Sequence, residues 1–372
     1  MTEPRMRWRV NPFRSREVVT PPSREPVRRF HRSLPGYAPT PLRELPGLAA
    51  ALGVGRLYIK DESPRFGLQA FKGLGASWAI HRLAAKGVTL TTVASATDGN
   101  HGRAVAWTAR QLGLQAVIFM TTHSSETRIE AIRNEGARVE LIEGTYDEAV
   151  QACAARSAAA GWQVVADVGY EGYLEIPLWI TEGYSTMFGE AEEQLARGGI
   201  PQPDFVFVQA GVGGLAAAAV DHYTARAAQP TMVIVEPTDA DGLLTSALSP
   251  DGTPTVSAGG QRSLMAGLNC GAVSLTAWPV LRRGVDVFLS VNDQYAEEAM
   301  RRLGLPVEGD PRIVAGESGA AGLAGLLALL GYHAFRGPRE ALGLGRDSVV
   351  MLINTEGATD AASYRRIVGI EP

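Results

Sequence analysis

Short apolar runs alternate with stretches of helical periodicity along most of the chain. Nine runs rich in Val, Ile and other apolar residues are predicted to be strands, at 57–60, 92–95, 116–120, 138–142, 163–166, 205–209, 231–235, 286–290 and 349–353. Few of these runs alternate between apolar and polar positions, which is typical of parallel strands that are covered on both faces. Strands that alternate with helices in this way predict an α/β fold with open, mostly parallel twisted sheets covered by helices.

The clearest helix is predicted after Gly144. An apolar stripe with helical spacing is formed by Tyr146, Ala149, Val150, Cys153 and Ala154. Thr145 and Glu148 have the spacing of a capping box, in which two side chains satisfy backbone N–H groups at the start of a helix. Cys153 lies on the apolar stripe and is therefore predicted to be a core residue.

The predicted strands fall into two groups along the chain. Residues 88–187 contain four of them and are predicted to form a small α/β domain. Residues 1–87 and 188–372 would form a larger, discontinuous domain. Residues 1–40, which are rich in Pro, Arg and Ser and lack periodicity, are predicted to be an extended arm of that domain with at most a short strand. Two such sheets leave a cleft between them, where ligands of α/β proteins usually bind.

Composition and charge narrow the class of protein. The chain has 372 residues, of which 45% are hydrophobic and 20% are charged, and this ordinary globular composition argues against disorder and coiled coil. The net charge of -4 and the absence of a long basic run after residue 32 argue against a nucleic-acid-binding surface. No apolar stretch is long enough to span a bilayer, and no apolar segment follows the basic N-terminus. We therefore expect neither a membrane span nor a secretory signal.

The cysteines and histidines give no sign of a metal site. The only two cysteines are Cys153 and Cys270. A chain of this length with two cysteines fits a reducing cytosol better than a disulfide scaffold, so we expect a cytoplasmic protein. Neither the cysteines nor the histidines have the spacing of metal ligands, and no structural zinc is predicted.

Four loops rich in glycine or polar residues lie where predicted strands end, at 66–73, 95–102, 209–215 and 354–360. In the third loop, Gly211, Gly213 and Gly214 lie between a predicted buried strand and an Ala-rich helix. Glycines allow the backbone to approach an anion closely, and the start of a helix offers free N–H groups and a favourable dipole. This loop therefore predicts a phosphate site, although glycine also occurs in strand–helix turns for steric reasons alone.

The chain contains only three lysines, so chemistry that needs an amine has three candidates. Lys72 opens a predicted helix in an apolar, glycine-rich setting, where a lysine amine has a lowered pKa and can form an imine with an aldehyde. The alternative for Lys72 is an ordinary surface lysine whose amine reaches solvent. Lys86, at the end of a predicted helix, fits that alternative. Lys60 lies beside Asp61 and Glu62 and is predicted to form ion pairs.

An imine-forming lysine together with a phosphate site indicates pyridoxal 5′-phosphate as the cofactor. The order of Lys72 and the loops at 95–102, 209–215 and 354–360 resembles the tryptophan synthase β-like superfamily, the fold type II pyridoxal-phosphate enzymes, over about residues 34–362. Within that superfamily the sequence is most similar to the diaminopropionate ammonia-lyase family, at 30–42, 60–63, 65–68, 96–103, 170–173, 236–238 and 354–357. The resemblance implies a fold type II enzyme whose larger domain binds the cofactor and whose active site lies in the interdomain cleft.

The resemblance also implies roles for individual residues toward the cofactor. Lys72 would hold the cofactor and then remove the α-proton of an L-substrate. Asn100 would hydrogen-bond the 3-oxygen of the cofactor, and Thr355 would place a neutral hydroxyl at the pyridine nitrogen. A hydroxyl there makes a weaker electron sink than a carboxylate, which suits the prompt loss of a β-leaving group. The phosphate would be held by Gly211, Val212, Gly213, Gly214 and Leu215.

Two aspartates carry the prediction of substrate specificity. The substrate 2,3-diaminopropionate has a second ammonium at Cβ, which Asp98 and Asp167 would receive through charge-assisted hydrogen bonds. Thr97, in the same loop as Asp98, is predicted to contact the substrate as well. The resemblance implies that Asp98 also takes the α-proton from the opposite face, which would permit the D-isomer. From the residues alone, Asp98 could instead cap the following helix, and Asp167 could be a solvated turn residue.

The predicted activity is therefore α,β-elimination of ammonia from L-2,3-diaminopropionate, extended by Asp98 to the D-isomer, with release of pyruvate and a second ammonia. The expected partners are a small amino-acid substrate and a second copy of the chain in a homodimer, with no nucleic acid and no membrane. One alternative is a serine/threonine dehydratase-like ammonia-lyase or a related β-eliminating enzyme that acts on another β-substituted amino acid, although dehydratases usually have Ser or Thr at the position of Asp98. The other alternative is a protein that binds the cofactor without turning over a substrate.

Overall fold

The strands of the protein form two sheets. The computed structural model describes residues 6–19, 21, 23–97 and 99–372. The strands are β1 (Trp8–Val10), β2 (Leu42–Glu44), β3 (Arg56–Asp61), β4 (Thr92–Ala96), β5 (Gln115–Thr121), β6 (Arg138–Ile142), β7 (Gln163–Val164), β8 (Phe205–Gln209), β9 (Thr231–Pro237), β10 (Val287–Val291) and β11 (Val349–Asn354). All nine predicted strands are confirmed, with ends that move by no more than two residues.

Helices connect these strands and cover the sheets. They are α1 (Glu25–Ser33), α2 (Pro46–Leu52), α3 (Lys72–Ala85), α4 (Asn100–Gln111), α5 (Glu126–Arg133), α6 (Tyr146–Ala160), α7 (Glu175–Arg197), α8 (Gly214–Tyr223), α9 (Gly242–Leu248), α10 (Trp278–Gly284), α11 (Asp293–Gly304), α12 (Ala321–Gly331), α13 (Arg336–Leu342) and α14 (Ala361–Val368). The predicted capping box of Thr145 and Glu148 is present at the start of α6, and Cys153 is buried as predicted. Within the residues that the structure describes, no helix is long and apolar enough to cross a membrane.

The larger sheet has the strand order β1-β10-β9-β8-β11-β3-β2. Its five inner strands are parallel, and β1 and β2 pair antiparallel at the two edges. Strands β8 and β11 are direct neighbours and run in the same direction. Their carboxyl ends therefore bring the loops at 209–215 and 354–360 to the same edge of the sheet, which is where open α/β sheets bind ligands.

The smaller sheet has the order β6-β5-β4-β7, and all of its pairs are parallel. Its strands all lie within residues 88–187, whereas the larger sheet takes strands from before and after that segment. Two mostly parallel sheets covered by helices agree with the predicted fold class. The domain limits at 87/88 and 187/188 stay a prediction, and α7 runs continuously across the second of them.

Two helices approach each other closely and fix the position of Lys72. A Cβ atom at Gly183 of α7 would clash with the carbonyl oxygen of Leu74 in α3, and one at Gly75 would lie 2.6 Å from Cε1 of Tyr184. Only glycine allows such an approach between the two backbones. The first turn of α3, where Lys72 lies, is therefore held firmly against α7.

The N-terminal arm is more structured than its sequence predicts. Residues 1–40 were predicted to be extended, but α1 is a helix, and β1 supplies the short strand. His31 anchors α1, because its Nε2–H donates to the carbonyl of Leu74 at 2.9 Å and its Nδ1 accepts from the hydroxyl of Thr186 at 2.7 Å. Burial lowers the pKa of His31 to about 3, so the ring is neutral. The prediction of an extended arm is wrong for α1 because only Val27 and His31 are buried in it, too few for an apolar stripe.

Candidate active site

Lys72 is the first residue of α3, as predicted, and its amine points into the cleft. Nζ lies 2.5 Å from Oδ2 of Asp167, which follows strand β7 of the smaller sheet. The rings of Phe71 and Tyr184 flank the amine, with centroids 5.3 and 5.8 Å from Nζ. The side chains of Lys72 and Asp167 are only 21% and 19% exposed, so this ion pair is largely shielded from water.

The ion pair reverses the predicted pKa of Lys72. Burial disfavours the charged amine, but the carboxylate of Asp167 outweighs burial and raises the pKa of Lys72. Burial likewise disfavours the charged form of Asp167, but the charge of the Lys72 ammonium and the hydrogen bond that it donates lower the pKa of that carboxyl. The prediction of a lowered lysine pKa is therefore wrong for the chain without cofactor, because it left Asp167 out. The alternative of Asp167 as a solvated turn residue is also wrong.

His101 is a neighbour of this ion pair that sequence reasoning did not assign to the site. The ring is 5% exposed, and its Nε2–H donates to the carbonyl of Val165 at 2.8 Å. That bond fixes the tautomer, and leaves Nδ1 as an unprotonated nitrogen 3.8 Å from Oδ2 of Asp167. Burial lowers the pKa of His101 more than the charge of Asp167 raises it, so the ring is neutral.

The other two lysines behave as predicted. Lys60 is 1% exposed, and Nζ lies 2.8 Å from Oε2 of Glu190. The ion-pair prediction is therefore confirmed, although the partner comes from α7 and not from the adjacent acidic residues. Lys86 is half exposed and pairs with Glu175, as expected of a surface lysine. Lys72 is thus the lysine whose amine faces the cleft.

The loop at 211–215 has the geometry of an anion cradle. Gly213 adopts a left-handed φ of 102° and caps α8, and a Cβ atom there would lie 2.8 Å from Cδ1 of Leu281. At Gly211 a Cβ would lie 3.2 Å from Sγ of Cys270. Gly214 opens α8, and the N–H groups in the first turn of a helix have no intrahelical acceptor. Bare backbone N–H groups at a tight turn are the donor set that a phosphate requires.

One segment links this cradle to the loop of Asp167. The N–H of Ser274 donates to the carbonyl of Val212 at 3.0 Å, and Oγ of Ser274 accepts from the N–H of Gly169 at 2.8 Å. The N–H of Leu275 completes the link by donating to the carbonyl of Gly169 at 2.8 Å. Residues of both sheets therefore meet around Lys72. Sequence analysis did not single out the segment at 274–276, because its bonds to Val212 and Gly169 join positions far apart along the chain.

Thr355 lies beside the start of α3, and its predicted place at the pyridine nitrogen stays a prediction. Its carbonyl accepts the N–H of Phe71 at 3.2 Å, and its hydroxyl lies 3.1 Å from Nε2 of Gln209 at the end of β8. Thr355 is 4% exposed. The chain therefore presents a buried neutral hydroxyl here, next to Lys72 and to the loop at 211–215.

Asn100 opens α4 and contacts a buried acid that sequence reasoning missed. Its Nδ2 donates to Oε2 of Glu356, and Oε1 of Glu356 accepts the N–H of Ser318 at 3.1 Å. Glu356 is 5% exposed. Burial and the nearby Glu317 raise the pKa of Glu356. The motif at 354–357 contains this residue, but nothing in the motif indicates that its side chain reaches α4.

The remaining predicted residues lie in the loop after β4. Thr97 is 7% exposed, and its Oγ1 accepts the N–H of Gly99 at 3.2 Å. Its methyl group lies against Gly102, so a Cβ atom at position 102 would clash with it. These contacts are all made to nearby residues of the chain. The predicted contact of Thr97 with the substrate therefore stays a prediction. Asp98 lies outside the described residues, so its predicted roles stay predictions as well.

Comparisons with known proteins decide the family. Residues 34–341 match the family of pyridoxal-phosphate dependent enzymes. The chain is 42% identical over 365 residues to the diaminopropionate ammonia-lyase of Escherichia coli (strain K12), which covers 92% of this chain and 90% of that protein. The corresponding enzyme of Salmonella typhimurium is 39% identical over 363 residues, covering 91% and 90%. The chain belongs to the diaminopropionate ammonia-lyase family of pyridoxal-phosphate dependent enzymes.

The structure agrees with this assignment. It superimposes with a TM-score of 0.90 on the crystal structure of the Escherichia coli diaminopropionate ammonia-lyase in complex with an aminoacrylate–PLP azomethine reaction intermediate. The identity over that match is 39%, and it covers 98% of this chain and 97% of the other. The predicted family, the fold type II class and the cofactor are therefore confirmed.

The residues of this diaminopropionate ammonia-lyase family member fit pyridoxal phosphate. The hydroxyl of Tyr184 is buried without a hydrogen-bond partner in the described part of the chain, and its ring lies between Gly75 and Gly214, in the first turns of α3 and α8. An unsatisfied buried hydroxyl is costly, and a polar ligand beside it would satisfy it. With the amine of Lys72 and the cradle at 211–215, the site offers an imine former, an anion site and a further donor. Within the described residues no cluster of metal-binding side chains occurs.

Proposed function

We propose that this protein catalyses the pyridoxal-phosphate-dependent α,β-elimination of ammonia from 2,3-diaminopropionate, which yields pyruvate and two molecules of ammonia. The observation that carries the proposal is the 2.5 Å contact between Nζ of Lys72 and Oδ2 of Asp167 beside the glycine cradle. It puts an amine that can bind the cofactor next to a carboxylate that can bind a second ammonium. The names of the relatives at 42% and 39% identity support the same substrate.

The cofactor, when bound, supplies an aldehyde for imine exchange with an amino acid and a ring that withdraws electrons from Cα. Lys72 is the residue that we assign to proton removal from Cα of the L-substrate, at Nζ. The aromatic rings of Phe71 and Tyr184 shield that amine from water. The loop from Gly211 to Leu215 would hold the phosphate, Asn100 the 3-oxygen and Thr355 the pyridine nitrogen.

Asp167 is assigned to the β-ammonium of the substrate. Its carboxylate is ionised at neutral pH, and in this structure it already holds an ammonium, that of Lys72. The substrate offers the same chemical group. In the elimination the Cα–H electrons form the Cα=Cβ bond, and the Cβ–N pair leaves with the nitrogen as ammonia. The abstracted proton stays on Nζ of Lys72, and the aminoacrylate product hydrolyses to pyruvate and a second ammonia.

The main alternative is elimination of water from serine or threonine. A neutral hydroxyl at Cβ cannot compensate the charge of Asp167, and a shielded carboxylate without a cationic partner is costly. We therefore expect diaminopropionate to be turned over faster than either hydroxyl substrate. A faster reaction with serine or threonine would favour the dehydratase alternative.

The test is a substrate comparison with the purified, cofactor-loaded protein. Both isomers of diaminopropionate, L-serine and L-threonine are supplied separately, and the oxo-acid and ammonia released are measured. We expect twice as much ammonia as pyruvate from diaminopropionate. No pyruvate from either isomer would refute the proposal, and a visible cofactor band without any product would favour a protein that binds the cofactor without turnover.

Substitution of lysines supplies the control. Lys72→Ala is expected to abolish both the visible absorption band of the bound cofactor and pyruvate formation. Lys86→Ala is the matched control, because Lys86 is half exposed and paired with Glu175. Loss of the band in both variants, or in neither, would argue against Lys72 as the attachment point.

Three further parts of the function are proposals. Asp98→Asn is expected to reduce turnover of the D-isomer more than that of the L-isomer, which a comparison of the two rates checks.

We propose a homodimer, supported by the exposed apolar residues Trp8 and Val10 on edge strand β1 and testable by light scattering. We also propose a cytoplasmic location, because a chain of this length with only two cysteines fits a reducing compartment.

A further inference from the structure

Glu356 is a buried acid with both carboxylate oxygens committed to partners. It follows Thr355 at the end of β11, and it is 5% exposed. Oε2 accepts from Nδ2 of Asn100, and Oε1 accepts the N–H of Ser318 at 3.1 Å. Two donors from different segments therefore converge on one carboxylate, and one of them is the amide that we assign to the cofactor.

The backbone around Glu356 is held from several sides. Ala70 pairs with Glu356 in an isolated antiparallel bridge, and the N–H of Gly316 donates to the carbonyl of Glu356 at 3.0 Å. A Cβ atom at Gly319 would clash with that same carbonyl oxygen. Because the segment is enclosed in this way, the carboxylate has a fixed position, and the side chain of Asn100 has to adapt to it.

A fixed acceptor determines which way the amide of Asn100 faces. A carboxamide is planar and has an N–H₂ end that donates and a carbonyl end that accepts. The two ends differ little in shape, so sterics alone select one orientation weakly. A carboxylate can only accept, so it attracts the N–H₂ end and repels the carbonyl oxygen. With one N–H bound to Glu356, the directions of the other N–H and of the carbonyl oxygen are set.

We propose that Glu356 is a positioning residue that holds Asn100 so that its amide donates, and does not accept, at the 3-oxygen of the cofactor. The inference rests on the proposed function, because that function assigns Asn100 to the cofactor. Glu356 follows a strand of the larger sheet, and Asn100 opens a helix of the smaller sheet's segment. Through this contact, a residue of the larger sheet therefore fixes the position of an amide on the other side of the cleft, beside the cofactor's ring.

A neighbouring acid provides a matched control. Glu317 is 6% exposed, and its Oε1 accepts from the hydroxyl of Ser363 at 2.5 Å. It is buried near Glu356, and it accepts from Ser363, not from Asn100. A Glu→Gln change at 317 therefore alters charge and size as the change at 356 does, without removing the acceptor of the amide.

The experiment compares the holoenzymes of Glu356→Gln, Glu317→Gln, Asn100→Ala and the double variant of positions 100 and 356. The readouts are the absorption spectrum of the bound cofactor, kcat and KM. We expect Glu356→Gln to shift the visible band and to lower kcat by about tenfold to a hundredfold, the range for one hydrogen bond to a charged group, with less than about a threefold change in KM. Glu317→Gln is expected to keep the wild-type band and kcat.

The double variant tests the route through Asn100. If Glu356 acts through that amide, Glu356→Gln changes neither the band nor kcat further once Asn100 is alanine. A wild-type band and kcat in Glu356→Gln would overturn the proposal, and so would an equal effect of Glu356→Gln in both backgrounds. A wild-type band in Asn100→Ala would overturn it too, because Asn100 would then have no part in the cofactor's environment.

Two provisions keep the outcome decisive. If Glu356→Gln does not fold, Glu356→Asp replaces it in the experiment. Aspartate keeps the charge, but its side chain is one methylene shorter, so the carboxylate lies farther from Asn100. A wild-type band in Glu356→Asp overturns the proposal. Failure of the proposed function is distinguishable, because the spectra require no substrate. A wild-type protein that forms no pyruvate from diaminopropionate would refute the reaction and leave the spectral comparison intact.

Discussion

A single carboxylate, that of Asp167, determines the charge of the amine at the centre of the cleft. Burial alone would favour a neutral Lys72, yet the contact with Asp167 raises the pKa of the amine and keeps it protonated. A protonated amine cannot attack an aldehyde. Cofactor loading must therefore separate this pair, which also frees Asp167 for a second ammonium.

Replacing Asp167 by asparagine is expected to change cofactor loading and substrate binding in opposite ways. Without the carboxylate, burial lowers the pKa of Lys72, so loading should reach its maximum rate at lower pH than in the wild type. Loss of a charge-assisted bond of roughly 1.5–3 kcal/mol should raise the KM for diaminopropionate by about tenfold to a hundredfold. The growth of the visible band after mixing with cofactor, measured against pH, and steady-state kinetics check the two effects.

The control is Asp347→Asn, at an exposed position before β11, whereas Lys72 lies near Thr355 beyond the other end of that strand. It is expected to leave both the pH profile and the KM unchanged. An unchanged pH profile in Asp167→Asn would mean that another group keeps Lys72 protonated.

Two glycines of α7 differ sharply in the space that a side chain would have. Gly183 and Gly189 both lie in α7, but a Cβ at Gly183 would strike the backbone of α3, whereas one at Gly189 would lie 3.5 Å from the flexible side chain of Arg28. The same substitution therefore has opposite expected signs along one helix. The position of α3, and so of Lys72, is set at the first of these sites.

Gly183→Ala is expected to lower the free energy of unfolding by about 1–3 kcal/mol, because overpacking must push α7 away from α3. Gly189→Ala should raise it by about 0.5–1 kcal/mol through the better helix propensity of alanine. Urea unfolding of both variants measures these changes, and the cofactor content after dialysis reports on Lys72. A neutral Gly183→Ala would show that the two helices can separate without cost.

The anchor of α1 gives the stability of the protein a dependence on pH. His31 is neutral in the folded chain with a pKa of about 3, whereas an unfolded histidine has a pKa of about 6.5. Between these values the unfolded chain binds one more proton, so this contribution is complete above the unfolded pKa and is lost as the pH falls. The free energy of unfolding should decrease by about 1.4 kcal/mol per pH unit from this residue.

His31→Gln can keep both hydrogen bonds of the ring but does not titrate, so it should remove that slope. Urea unfolding at several pH values between about 4.5 and 6 measures it. His123→Gln, at an exposed position, should retain the wild-type slope. A slope that survives in His31→Gln would assign the pH dependence to other groups.

Local pattern predicted the architecture well because most of the strands are runs of β-branched and other apolar residues. The predicted bounds 138–142 and 205–209 are those of β6 and β8. The short edge strand β2 and the helix α1 escaped prediction, because neither buries enough apolar positions to make a pattern. The pattern of apolar residues therefore predicts the elements that build the core and misses the elements that lie on its surface.

The candidate site could be predicted where a reactive residue type is rare in the chain or where glycines cluster at the end of a strand. Lys72 is one of three lysines, and Gly211, Gly213 and Gly214 lie within a span of four positions that follows a predicted strand. The contact of Lys72 with Asp167 spans 95 positions and that of Asn100 with Glu356 spans 256. Such pairs depend on how two sheets meet, and no local pattern encodes that. The prediction of a lowered pKa for Lys72 was wrong for this reason.

The two sheets meet through a few polar links, and the link at Ser274 predicts how substrate binding depends on them. Oγ of Ser274 accepts the N–H of Gly169, two residues after Asp167, while the N–H of Ser274 holds the cradle at Val212. Ser274→Ala leaves the N–H of Gly169 without this acceptor, at a cost of about 1–3 kcal/mol. The loop of Asp167 should loosen, while the backbone link to the cradle remains. We therefore expect the KM for diaminopropionate to rise about tenfold with the visible cofactor band unchanged.

Ser348→Ala is the matched control, because its Oγ accepts the N–H of Gly345 at 3.0 Å in the same way, before the amino end of β11. It should lower stability without changing KM. In an Asp167→Asn background, Ser274→Ala should have no further effect on KM, because the carboxylate that the loop positions is already gone. Equal loss of cofactor and of substrate affinity in Ser274→Ala would contradict the prediction, since it would mean that the cradle and the Asp167 loop move as one body.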